Sequence, residues 1–287
     1  MPPGKLNNQR AAVEWVRDNI PSFGGNPKKI TLWGQSTGAA SIVLYDLAYP
    51  SDPIAHGFIE DYGSVYLLLC SDDNVSAKSF SPLAKAMNCS GAPDHELSCL
   101  RNFAAPIIQS YLDVTEEIEF SPVKDNITVF QNNKARYAAK QYAQVPIIAG
   151  ANVHEETDAF LCLSDQGIKY RAAATSQPIF FYHYHGNSSN IAPIPSAGAY
   201  HSSELPLIMG TFNDINGLGP EFQTEISRTL QDPWLAFTTD PTQGLVASGW
   251  EPYPSAVIFG DTTKEQVFQS VQVSEVPGWN ECLPVDA

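Results

Sequence analysis

Apolar side chains at Ala12, Val13, Val16 and Ile20 fall on one face at helical spacing, and Pro21 ends that run. A turn cluster, Phe23-Gly24-Gly25-Asn26-Pro27, then delivers the chain into a short β-favouring stretch containing Ile30, Leu32 and Trp33. Small residues lead from there into Ile42, Val43 and Leu44, a pattern suited to a packed helix that ends before Pro50. Residues 57–69 are apolar and β-like, with a break at Gly63-Ser64. Two short helices are expected over 81–87 and 96–103, with Cys89 and Cys99 on their connection. The apolar run 145–150 predicts a buried strand followed by a polar loop over 151–157. A strand over 178–185, a helix over 221–237 interrupted at Pro233, and a last strand over 255–260 complete the series, with an irregular tail after it. Strands alternating with helices point to an α/β sheet. No internal repeat, long low-complexity segment or interdomain linker stands out, so 1–287 is expected to form one domain.

Composition narrows the function classes. The chain has 287 residues, 43% hydrophobic and only 16% charged, which is globular in character. Its net charge of −15 repels phosphate backbones and anionic membrane surfaces, so nucleic acid is not an expected partner. No apolar run is long enough to span a bilayer, and residues 1–6 lack the apolar core of a secretion signal. Five cysteines and four Asn-x-Ser/Thr sequons, at Asn74, Asn88, Asn126 and Asn187, nonetheless have an extracellular look. The cysteines are equally readable as buried small hydrophobes. No Cys-x-x-Cys is present to suggest a zinc site.

The candidate chemistry starts at Gly34-Gln35-Ser36-Thr37-Gly38, a G-x-S-x-G pattern between a predicted strand and a predicted helix. That context holds a serine on a strained turn with its hydroxyl exposed, and the two glycines allow close backbone approach. A bare G-x-S-x-G is also an ordinary Gly/Ser turn, so the reading needs a base and an acid. Of the six histidines, His183 and His185 alternate on a strand and read as a plain strand face rather than half of a metal site. His95 lies in a polar loop between two cysteines. His201 sits in a loop after the third strand, and the order Ser36, an acid near 155, His201 matches nucleophile, acid, histidine.

These motifs together resemble the type B carboxylesterase/lipase family, the cholinesterase-like α/β-hydrolases, and most closely its fungal members. The resemblance rests on Phe23–Pro27 with Gly34–Ser41, on Gly150-Ala151-Asn152-Val153-His154-Glu155, on residues 198–210, and on Gln231-Asp232, Trp234, Ala236-Phe237, Asp240-Pro241 and Gly249-Trp250. It implies an α/β-hydrolase fold and a serine hydrolase acting on a small-molecule carboxylic ester without cofactor or metal. Ser36 would be the nucleophile, Glu155 the acid, His201 the base and the Thr37 amide an oxyanion-hole donor. It also implies disulfides Cys89–Cys99 and Cys162–Cys282, with Cys70 unpaired, and hence a secretory, oxidising compartment.

The departures from the family pattern shape the expectation. Members carry a long segment before the first helix, with several sheet strands and a Gly-Gly loop forming most of the oxyanion hole. The fold is therefore expected to be incomplete. The span from Glu155 to His201 is much shorter than in the family, which implies that gorge helices after Asp158 are missing. Glu156 stands where a glycine is usual, and Tyr62 where a serine is common. The resemblance thus implies slow ester hydrolysis, with a non-catalytic cholinesterase-like binding module or a non-functional fragment as alternatives.

Overall fold

The computed structural model describes residues 4–64, 73–115, 118, 120–155, 159–192, 194 and 196–282. They divide into two compact units, one of Met1–Lys5 with Leu68–Gln131, the other of Leu6–Leu67 with Asn132–Ala287. The larger unit carries a six-stranded sheet in sequential order. Strands β1 (Thr31–Gln35), β2 (Gly57–Asp61), β3 (Ile147–Asn152), β4 (Ile179–Tyr184) and β5 (Ser255–Asp261) are parallel, and β6 (Gln266–Gln272) returns antiparallel to β5. Helices α1 (Gly4–Asn19), α2 (Thr37–Ala48), α6 (Asn133–Ala138), α7 (Ala159–Ala172), α8 (Leu205–Ile208), α9 (Asn213–Asn216), α10 (Glu221–Thr239) and α11 (Gly244–Ala247) complete this unit.

β2, β3, β4 and β5 are buried along their whole length, as strands covered on both faces must be. Phe180, Tyr182, Phe237, Trp250 and Phe259 form the centre of one core cluster, and α10 adds Ile226, Leu230 and Trp234 to it. This explains why the block around Trp234 and Trp250 is so apolar. Pro233 does not interrupt α10, which runs through it. Burial of the Ile226–Phe237 face, which Pro233 itself shares, outweighs the loss of one backbone hydrogen bond. In α1 only part of the expected face is used: Val13 is buried, Val16 and Ile20 are half-buried, and Ala12 is exposed. The helix stops one residue earlier than its apolar run, and Ile20–Phe23 tightens into a 3-10 turn with Pro21 in its first turn. Ala151 and Asn152 belong to β3 rather than to the loop after it, and β6 replaces the expected irregular tail.

The larger unit is tied together by a buried ion pair. Arg171 on α7 places Nη1 2.5 Å from Asp46 Oδ2 on α2, and both side chains are almost wholly buried. Arg171 Nη2 donates to the carbonyls of Ala143 and Val145, at 2.9 and 2.8 Å, while Asp46 Oδ1 accepts from the Ala143 amide at 2.9 Å. Two helices and the segment entering β3 thus share one charge network. Cys162 on α7 bonds to Cys282, with Cα atoms 4.9 Å apart across 120 residues of sequence, a long loop by chain-entropy reasoning.

The smaller unit holds α3 (Asp73–Ala86), α4 (Pro93–Leu100) and α5 (Ala105–Leu112). Leu83, Ala84, Cys89 and Leu100 form its core, with Phe80, Phe103, Ile108 and Tyr111 packed against them. The Cys89–Cys99 disulfide, Cα–Cα 5.5 Å, closes it. Cys99 lies inside α4 rather than on a connection, and the second helix runs over 93–100 instead of 96–103. His95 is in the first turn of α4, exposed, rather than in a loop. Cys70 and most of the apolar run after Ser64 lie outside the described residues.

Two predictions follow from the buried charges. Asp46→Ala or Arg171→Met strands the surviving partner, so chemical denaturation is expected to show a loss of about 3–5 kcal/mol; a change below 1 kcal/mol, by the same scale, means the pair is solvated. On β2, burial pushes the Glu60 carboxyl up to about 8, with Arg171 opposing only in part, and the Asp61 carboxyl up to about 7 against its bonds from Trp33 and Tyr182. The folded chain therefore holds protons that the unfolded chain releases near the ordinary carboxyl values. Stability contributed this way is complete at acid pH and lost as pH rises toward the folded values. The melting temperature should fall as pH rises from about 4 to about 8 and level off above that, and Glu60→Gln with Asp61→Asn should flatten that fall.

Candidate active site

The site forms at the carboxyl ends of the parallel strands, where open α/β sheets place their reactive groups. β1 ends at Gln35, and the chain turns at Ser36 directly into α2. Ser36 has φ 55 and ψ −122, a left-handed conformation that costs energy for a residue with a Cβ. The turn is held by the Ser36 amide, which donates to the Asp61 carbonyl at 2.9 Å. Gly34 is obligatory, since a Cβ there would sit 2.5 Å from the carbonyl carbon of Gly38. Gly38 is not, because a Cβ on it would meet nothing within 4 Å; the close approach expected of both glycines is supplied by the first. Thr37 opens α2, so its amide belongs to the first helical turn, whose N–H groups have no partner within the helix.

Strand β3 ends at Asn152, three residues before Glu155. The Glu155 side chain is 3% exposed. Its Oε1 accepts from the Asn152 amide at 3.0 Å and its Oε2 lies 2.5 Å from His201 Nδ1. The histidine arrives on the loop after β4, and that loop is laced to the acid turn. The His154 amide donates to the Ala199 carbonyl at 3.1 Å, and the Ala199 amide donates back to His154 Nδ1 at 3.2 Å. Asn152 Nδ2 donates to the Tyr200 carbonyl at 2.9 Å and to Glu204 Oε2 at 2.6 Å. Gly198, at φ +62, fits because a Cβ there would be 2.3 Å from His154 Nδ1. Sequence reasoning singled out Glu155 alone in this turn. Asn152 and His154 carry the lacing, and their signal was their place in the same Gly150–Glu155 motif.

His201 is also fixed through its ring. Tyr62 and Phe160 each pack against the imidazole with centroids 4.7 Å apart. Its Nε2 lies 3.0 Å from Gln35 Nε2, and the same amide nitrogen is 3.0 Å from Ser202 Oγ. His201 therefore stands between Glu155 and the residue next to Ser36, while no hydrogen bond joins Ser36 Oγ to the ring. Tyr62 and Ser202 share the left-handed backbone of Ser36, at φ 37 and 78. Three of the eight non-glycine residues with positive φ among the described residues thus lie around one place, where such backbone is often part of a functional site.

Behind the histidine lies a buried acidic layer. Burial pushes Glu204 up to about 8, with Asp61 adding to the shift. Asp61 accepts from Trp33 Nε1 at 2.5 Å and from the Tyr182 hydroxyl at 2.9 Å. His183 and His185 occupy each other, Nδ1 to Nε2 at 2.8 Å, and burial pushes His183 down to about 3. Among the described residues no group of three or more His, Cys, Asp or Glu side chains is arranged to hold a metal, and no helix is long and apolar enough to cross a membrane. Glu156 lies outside the described residues.

This geometry can be set beside known proteins. A chlorogenic acid esterase of Aspergillus niger is 36% identical over 84% of this chain and 51% of its own length. Secreted lipase 5 of Gibberella zeae is 35% identical over 92% of this chain and 58% of its own. The chain thus spans about half the length of the curated relatives it matches. Among solved structures, PNB esterase superposes with a TM-score of 0.73 over 97% of this chain and 68% of its own, at 19% identity, so the α/β-hydrolase fold is shared. The model of the carboxylesterase family matches residues 6–169, a stretch holding both the Ser36 elbow and the Glu155 turn. With a family model over more than half of its residues and fungal relatives above one-third identity, the chain belongs to the carboxylesterase family.

Proposed function

We propose that the chain is a serine hydrolase of carboxylic esters, with Ser36 as nucleophile, His201 as base and Glu155 as acid. The observation that carries this reading is the 2.5 Å contact of His201 Nδ1 with Glu155, with the opposite ring nitrogen turned to the β1–α2 elbow. A carboxylate on Nδ1 fixes the tautomer that leaves Nε2 free to take a proton. Ser36 Oγ attacks the ester carbonyl carbon as its proton passes to Nε2. The imidazolium then protonates the departing alcohol, and a water repeats the sequence on the acyl-enzyme. Negative charge on the carbonyl oxygen develops beside the Thr37 amide at the start of α2, where backbone donors and the helix dipole favour it. Thr37 is the donor assigned among the described residues. A single oxyanion donor of this kind is worth about 10²–10³ in turnover.

A non-catalytic cholinesterase-like binding role is the second reading. Gln35, not Ser36, occupies His201 Nε2, and that observation favours it. A fluorophosphonate probe separates the two. Covalent labelling that disappears in Ser36→Ala supports the enzyme, and a folded chain that never labels supports the binding module. His201→Ala and Glu155→Gln should each lower ester turnover by about 10³–10⁴. A loss below tenfold in either variant, on the same scale, removes that residue from the mechanism.

A secreted setting fits the two disulfides and the Gibberella zeae relative. Asn88, Asn126 and Asn187 are exposed, so each sequon has room for a glycan. Expressed through a secretory pathway, the chain should lose mass on endoglycosidase treatment in steps that disappear with Asn88→Gln, Asn126→Gln and Asn187→Gln. Unchanged mobility throughout would count against this setting.

A further inference from the structure

The residue between Gly34 and Ser36 is not a spacer. Gln35 places one side-chain nitrogen 3.0 Å from His201 Nε2 and 3.0 Å from Ser202 Oγ. Donor accounting fixes the roles. Against the Glu155 carboxylate, His201 Nδ1 must carry a proton. A neutral imidazole has one such proton, so Nε2 presents a lone pair and can only accept. The group facing it must then be a donor. The Gln35 amide has two N–H bonds, one for Nε2 and one for the Ser202 hydroxyl oxygen, which uses both. The reverse amide orientation would put a carbonyl oxygen against that lone pair.

We propose that Gln35 is a positioning residue that restrains the base. Its amide occupies the Nε2 lone pair needed to take the Ser36 proton, and acylation has to displace it. This rests on the Ser36–His201 reading above. Ser202 gives the restraint its leverage, because its positive φ of 78 and its bond to the same amide hold the loop around His201 against β1. Tyr62 and Phe160 both pack against the ring, so the exchange of partners occurs by movement of the Gln35 side chain rather than of the imidazole.

The test compares the full chain with Gln35→Met, which keeps length and removes the amide, and with Gln35→Leu as a second variant should one fold poorly. Two quantities are read. The first is the second-order rate of fluorophosphonate labelling, in which Ser36 Oγ bonds to phosphorus, fluoride leaves and the hydroxyl proton passes to Nε2. The second is the ¹⁵N chemical shift of His201 Nε2, identified by its loss in His201→Gln. We expect labelling to speed up by about three- to tenfold, the weight of one net hydrogen bond, and the Nε2 signal to move toward that of an unbonded nitrogen. A merely structural role would move neither in this direction. An Nε2 signal unchanged by both substitutions overturns the contact. Equal or slower labelling in folded variants overturns the restraint while leaving the triad standing. A wild-type chain that does not label at all overturns the triad and the restraint together, and the three results are distinguishable.

Discussion

The lacing of the turn at 152–155 to the loop at 198–204 is the constraint on which the rest of the site depends. A carboxylate and an imidazole on separate loops gain little from each other unless both loops are held, because each would otherwise give up side-chain and backbone entropy for one contact. Here the two loops exchange hydrogen bonds at His154 and Ala199, and Asn152 adds two more through its side-chain amide. The Glu155–His201 contact is then made between groups already in place. Asn152 ends β3 and Tyr184 ends β4, and these strands pair directly, so the position is inherited from the sheet register.

Three of the eight non-glycine residues with positive φ among the described residues lie around the same site. Ser36, Tyr62 and Ser202 all hold positive φ without being glycine, and each is fastened by a bond to a neighbouring segment. The Ser36 amide is bound to Asp61, the Tyr62 amide to the Gly150 carbonyl, and the Ser202 hydroxyl to Gln35. Conformations of this kind persist only where the surroundings over-determine them. The aromatic core of Phe180, Tyr182, Phe237, Trp250 and Phe259, with the Asp46–Arg171 network across α2 and α7, offers the offsetting stability.

The elements legible in the sequence were those whose cause is local. The strand–serine–helix turn, the apolar strands at 147–152 and 179–184 and the histidine loop each carry their signal within a few residues. What escaped has a distant cause. β6 reads Gln-Val-Phe-Gln-Ser-Val-Gln, too polar to stand out, and becomes a strand because it covers the edge of β5. Pro233 looks like a break and is carried by the packing of its neighbours. Cys99 looked like a loop cysteine and is helical because the small core around Leu83 and Leu100 fixes α4. In the candidate site, Ser36, His201 and an acid near 155 followed from motif order, and Glu155 itself from the family resemblance. Asn152, His154 and Gln35 did not, because their work is to face residues tens of positions away.

The acidic layer behind His201 illustrates how composition and site chemistry meet. A chain with a net charge of −15 would be expected to keep its carboxylates in water. Glu60, Asp61 and Glu204 are instead buried, and each is pushed up toward neutrality. Asp61 accepts from both Trp33 and Tyr182, which ties β1, β2 and β4 together at the level of the serine turn. Asp61 therefore braces the sheet beside the Ser36 turn, and its carbonyl also accepts from the Ser36 amide. The charge per residue of the chain says nothing of this, because it is the location of each carboxyl, not their number, that decides its state.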